Sequence, residues 1–253
     1  MPELTRGQYE TESHPFELDV DGYGVQAFHA RPEGMPTAGV VLIPDMMGIR
    51  PLFEDVADRL ASNGLAVVVV EPFAFVPPAE RPTTVEARSE CMSGFDDALM
   101  LSACTAAADW LVIHDDVARV SALGFCMGGM YALKCAAAER FDAVVAFYGM
   151  VTLPPSWRGP AVRDVIDWLE HAADVSPFLA IFGGRDDFTP ASDVERVRKL
   201  AAAVPGAEVR VYPEAEHGFT HDPARPTHRG DDAADAWKAA LAFVGAAPRA
   251  LSL

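Results

Sequence analysis

The chain has 253 residues, half of them hydrophobic and 23% charged, which is ample for a buried core in one large α/β domain or two small ones. Its 20 Lys and Arg against 37 Asp and Glu give a formal charge of −17, which argues against nucleic acid or an anionic membrane surface as a partner. No apolar run reaches the roughly 18 residues of a membrane span, and Met1-Pro2-Glu3-Leu4-Thr5-Arg6 lacks the pattern of a signal peptide.

In chain order, Phe16 to Val20 and Val25 to Ala30 flank Asp21-Gly22-Tyr23-Gly24, the signal of an N-terminal β-hairpin. Gly39 to Ile43 is a continuous apolar run, as in a strand covered on both faces, and ends at Pro44-Asp45-Met46-Met47-Gly48. Pro51 suits the first turn of a helix running to about Asn63, with Gly64 as its stop. Leu65 to Val70 is the strongest strand. Residues 71–95 form a proline-bearing excursion of the length common in binding loops, and 72–94 are expected to cover a pocket. A solvated linker is the alternative. A helix follows from about Phe95 to Ile113.

Val120 to Leu123 reads as the end of a strand and Met130 to Ala138 as a helix, with Gly124-Phe125-Cys126-Met127-Gly128-Gly129 between them. Ala143 to Phe147 is the next strand, and residues 151–160 read as a proline-rich loop. Phe178 to Phe182 is a strand ending in Gly183-Gly184-Arg185-Asp186-Asp187, followed by a helix over 191–203. Glu208 to Tyr212 is the last strand; it leads to Glu214-Ala215-Glu216-His217-Gly218-Phe219 and a helix over 231–244. The alternation predicts an α/β fold in one domain over 1–253: a mostly parallel central sheet, helices on both faces and a leading hairpin.

Gly-x-Cys-x-Gly-Gly between a strand and a helix has the mechanics of a nucleophile elbow, where glycines remove Cβ clashes from a strained turn. Taken alone it could equally be a tight turn holding an inert cysteine. In a parallel sheet, ligands sit beyond the carboxyl ends of the strands. Those ends carry Cys126, Asp186 and His217, spaced by 60 and 31 residues, in the order nucleophile, acid, base. A thiol beside an imidazolium or a helix N-terminus ionises more readily, His217 would move protons, and Asp186 would orient the ring. The N–H groups of Met46 and Met127 fall where an oxyanion hole is expected. A metal reading of His217, His221, Asp222 and His228 is weakened by Gly218 and Pro223, which make the segment a loop. The other cysteines, Cys91, Cys104 and Cys135, read as small core residues. No Cys-x-x-Cys pair or disulfide framework is visible, and a free thiol points to a reducing cytoplasm.

Gly-Phe-Cys-Met-Gly-Gly, Gly-Gly-Arg-Asp-Asp-Phe-Thr-Pro and Glu-Ala-Glu-His-Gly-Phe resemble the three catalytic stretches of the dienelactone hydrolase family, a likeness running from about residue 13 to 245. The resemblance implies a minimal α/β-hydrolase fold and a triad of Cys126, Asp186 and His217. It implies no cofactor and a role in aromatic-compound degradation. It gives Asp45 the place of a carboxylate that holds the resting thiol, where the type member has Glu. Tyr148 matches a pocket tyrosine. His221 stands where the family's best-known member has one substrate-binding arginine, and Arg81 and Arg88 are candidates for the other. The expected partner is a small ester or lactone, with neither nucleic acid nor membrane, bound by a monomer or homodimer. Runner-up readings are a general carboxylesterase or thioesterase, and a family member that binds an acyl or lactone ligand without turnover.

Overall fold

Side-chain alternation sorts each central strand between two apolar layers. In β3 (Ala38–Ile43), Val41 and Ile43 face one core while Val40 and Leu42 face the other. In β4 (Leu65–Val70), Ala66, Val68 and Val70 join the first core, and Leu65, Val67 and Val69 the second. These strands are buried on both faces, so their sequences are uninterrupted apolar runs. The computed structural model describes residues 4–246.

The sheet has eight strands in the order β1-β2-β4-β3-β5-β6-β7-β8. β1 (Thr11–Val20) and β2 (Tyr23–Pro32) form the leading hairpin, and Val20 pairs with Tyr23 across Asp21 and Gly22, both at positive φ. β2 pairs antiparallel with β4. From β4 through β3, β5 (Val120–Phe125), β6 (Ala143–Phe147), β7 (Phe178–Gly183) and β8 (Glu208–Tyr212) every pairing is parallel. The carboxyl ends of these strands therefore share one rim.

The first core lies under α3 (Asp97–Asp115), α4 (Met127–Cys135), α5 (Val165–Glu170) and α6 (Ala191–Ala201). The second lies under α1 (Pro51–Ser62) and α7 (Gly230–Ala246). α1 starts at Pro51 and stops before Gly64 at φ +91°, as its sequence predicts. Several elements differ from expectation: β1 starts at Thr11 rather than Phe16, β5 runs on to Phe125, and α5 is an unexpected helix. α4 begins at Met127, not near Met130, and the excursion contains a further helix, α2 (Val85–Cys91). Among the described residues no helix is long and apolar enough to cross a membrane.

Candidate active site

β5 turns into α4 at Cys126, whose φ of 57° and ψ of −117° lie in a region costly for any residue with a Cβ. The turn is held from both sides. The Cys126 N–H donates to the Phe147 carbonyl at 3.0 Å, and the Met130 N–H donates to the Cys126 carbonyl at 3.0 Å. The helix sits hard against the strands. A Cβ on Gly124 would lie 2.1 Å from the Gly128 carbonyl oxygen, and one on Gly128 would lie 2.1 Å from that of Ile43. The cysteine is thus lifted to the rim, partly exposed, while Cys104 and Cys135 are buried.

Asp186 follows β7 and His217 follows β8, and the two loops are stitched together by the Arg185 N–H donating to the Ala215 carbonyl at 2.9 Å. His217 Nδ1 lies 2.8 Å from Asp186 Oδ2, and Asp186 Oδ1 accepts from the Phe188 N–H at 2.8 Å. A carboxylate only accepts, so Nδ1 carries the proton and Nε2 is left for the sulfur. Burial opposes charge on this ring. The charge of Cys126, with the hydrogen bonds that His217 donates to Asp186 and Cys126, outweighs burial and pushes the His217 pKa up to about 10.

Cys126 and His217 open into a cavity of about 680 Å³, walled mainly by apolar groups that include Met46, Met47, Met150, Trp157 and Phe188. α2 supplies one side through Val85, Glu86 and Ser89, and Trp157 Nε1, from another part of the lining, donates to Ser89 Oγ at 2.7 Å. The excursion thus lines the pocket through α2 alone; its first part, with Pro72, Phe75 and Val76, borders a different hollow. A second hollow of about 510 Å³, near Asp19, Asp21 and Asp109, holds neither Cys nor His.

Met46 and Met127 follow adjacent strands, β3 and β5, which are in register at Ile43 and Gly124. Met46 lines the cavity, and Met127 opens α4, where N–H groups have no acceptor within the helix. Asp45 is buried beside them, and its hydrogen bonds run to Met47, Arg50 and His221. Burial would raise its pKa, but His221 and Arg50 hold it well below the usual carboxylate range.

The residues expected to bind substrate lie elsewhere. Arg81 donates to Gln26 Oε1 and to the carbonyls of Val76 and Ala74, pinning the excursion to β2. Arg88 donates to the carbonyls of Pro82 and Met46, and its guanidinium lies over Phe73. Tyr148 and His221 are buried and hydrogen-bonded to each other behind the wall. The cations that do line the cavity are Arg185, which pairs with Glu214, and Arg225. Sequence reasoning missed both because a loop has no periodicity to betray which way a side chain turns. Among the described residues, no group of three or more His, Cys, Asp or Glu is arranged to hold a metal ion.

The dienelactone hydrolase family profile matches residues 25–247. The chain is 31% identical over 233 residues to the "putative carboxymethylenebutenolidase" of Escherichia coli (strain K12), covering 87% of this chain and 82% of that one. It is 29% identical over 206 residues to the carboxymethylenebutenolidase of Rhodococcus opacus, covering 81% and 79%. The solved "putative dienelactone hydrolase" of Klebsiella pneumoniae subsp. pneumoniae superposes with a TM-score of 0.83 at 27% identity, covering 94% of this chain and 99% of that chain.

Proposed function

Because the chain belongs to the dienelactone hydrolase family and is a hydrolase of the ester and lactone class, we propose that it opens a small lactone or ester through Cys126, His217 and Asp186. The observation that carries this reading is the 2.8 Å contact of His217 Nδ1 with buried Asp186, beside a cysteine held in a strained turn.

The Cys126 thiolate attacks the carbonyl carbon, and the carbonyl electron pair moves to oxygen. The N–H groups of Met46 and Met127 receive that oxyanion. As the tetrahedral adduct collapses, the carbon–oxygen single bond breaks and His217 gives its Nε2 proton to the departing alkoxide. In a lactone that alkoxide stays tethered to the acyl group. Water then attacks the thioester with Nε2 taking its proton, and the thiolate departs. Asp186 keeps Nδ1 protonated and stabilises the imidazolium throughout. Every step is served by side chains and backbone of this chain, so no cofactor is invoked.

The apolar walls suit a neutral acyl body, and Arg185 and Arg225 give an anionic substituent a place at the rim. Simple carboxylesters and thioesters fit the same chemistry. All eight strands share one sheet, which supports a single domain, and a free catalytic thiol suits the cytoplasm. The test is hydrolysis of a panel of dienelactones, aryl esters and thioesters before and after iodoacetamide. Loss of turnover with one carboxamidomethyl group on Cys126 is expected. Full activity after complete alkylation of Cys126 would overturn the reading, and binding without any turnover would favour a ligand-binding role.

A further inference from the structure

We propose that Asp45, His221 and Tyr148, with Arg50 at the solvent end, form one hydrogen-bonded chain that positions the Met46 N–H over Cys126, making His221 a positioning residue of the oxyanion site. The inference rests on the triad reading above, since it gives the chain a role in that reaction.

The protons along the chain are ordered by chemistry. Asp45 Oδ1 accepts from the Met47 N–H at 2.9 Å and from Arg50 Nη1 at 2.7 Å. Oδ2 accepts from Arg50 Nη2 at 2.8 Å and lies 3.0 Å from His221 Nε2. The carboxylate can only accept, so Nε2 bears the hydrogen. Burial lowers the His221 pKa and keeps the ring neutral, so Nδ1 is an acceptor. Tyr148 Oη therefore donates to Nδ1, and its oxygen accepts from Thr220 Oγ1 at 2.9 Å. No proton of Tyr148 or His221 remains to point at a substrate.

The chain joins the parts that must act together. Asp45 precedes Met46 and closes its own turn, with the Gly48 N–H donating to the Asp45 carbonyl at 2.9 Å. His221 lies four residues beyond His217 in the same loop. Tyr148 follows β6, and the edge of its ring meets His217 at 5.1 Å between centroids. Phe53 and Phe125 enclose the His221 ring at 5.7 and 5.1 Å. In such surroundings a lost hydrogen bond leaves an unpaired polar group and the loop shifts to relieve it. Arg88 at the Met46 carbonyl and Glu71 at the Ile49 N–H hold the far side of the loop, so loss of the His221 contact is felt at the Asp45 side chain and the Met46 N–H that follows it.

A displacement of about 1 Å at a reacting group costs on the order of 100-fold in rate. Tyr148→Phe removes one oxygen, and His221→Gln breaks the middle of the chain. The full-length variants are assayed for kcat and KM on an aryl ester, beside the rate of Cys126 alkylation by iodoacetamide, which forms no oxyanion. The expected result is a kcat lower by about 10- to 100-fold in each, KM within about threefold, and alkylation within about twofold. The double variant is expected to be no worse than the worse single one. Should His221→Gln fail to fold, Tyr148→Phe decides alone. Unchanged kcat in Tyr148→Phe beside an inactive Cys126→Ala would overturn the chain's role and leave the triad standing. Alkylation falling in step with kcat, or a raised KM at unchanged kcat, would also overturn it. Full activity in Cys126→Ala would overturn the triad and the chain together.

Discussion

His217 Nδ1 and Asp186 Oδ2 lie 2.8 Å apart, and the Asp186 side chain has no exposed surface while the ring keeps 15% of its own. The carboxylate is sealed and the imidazole reaches solvent, as the proposed roles of orienting the ring and moving protons require. Asp186→Asn can donate to Nδ1 and so favours the wrong tautomer. The expected outcome is a fall in kcat of about 10²- to 10⁴-fold with little change in melting temperature, read by steady-state kinetics and thermal melts.

The same contacts set a pH dependence. The His217 pKa is raised from 6.5 to about 10, so the folded chain holds that proton more tightly than the unfolded one. The stabilisation is fully present below about 6.5 and is lost as pH rises through about 10. Melting temperatures measured between pH 6 and 10.5 are expected to fall more steeply for the native chain than for His217→Gln. Parallel curves would contradict the assignment.

Strain at Cys126 gives a prediction of opposite sign for stability and activity. A residue with a Cβ in such a conformation costs about 1–3 kcal/mol, and glycine escapes that cost. Cys126→Gly is expected to raise the melting temperature by a few degrees while abolishing turnover. Differential scanning calorimetry beside an ester assay reads both.

Lys134 Nζ and Asp97 Oδ1 form an ion pair at 2.8 Å with neither side chain exposed by more than 1%, and Asp97 Oδ2 accepts from Trp168 Nε1 and the Arg163 N–H at 2.9 Å. Removing one partner of such a pair costs about 3–5 kcal/mol. Lys134→Met is expected to lose that amount in urea unfolding, and adding Asp97→Asn is expected to recover at least half.

How much of this was legible in the sequence depended on whether the cause was local. β4, β6 and β8 fall on their expected residues because an apolar run between turn residues is self-contained. Cys126, Asp186 and His217 were nameable because each lies in the loop that follows a strand, beside glycines or in a short polar turn. The start of α4 was hidden because Gly128 and Gly129 are poor helix formers; close packing of Gly128 on Ile43 and of Gly129 on Phe147 requires them there. α2 was hidden because none of its residues is buried, so it carries no apolar stripe. The fate of Asp45 was unreadable because one partner lies five residues away and the other 176. Arg81 and Arg88 carried the expected charge, but the path of the excursion turns both onto backbone carbonyls.

The most direct measurement is intact-protein mass spectrometry during turnover of a slow aryl ester or lactone, with the native chain beside Cys126→Ala and Cys126→Ser. The account predicts a transient acyl adduct on the peptide containing Cys126 in the native chain, no adduct at any other position, and no hydrolysis above background by the alanine variant. Undiminished hydrolysis by Cys126→Ala, or an adduct that maps to another residue, would contradict it.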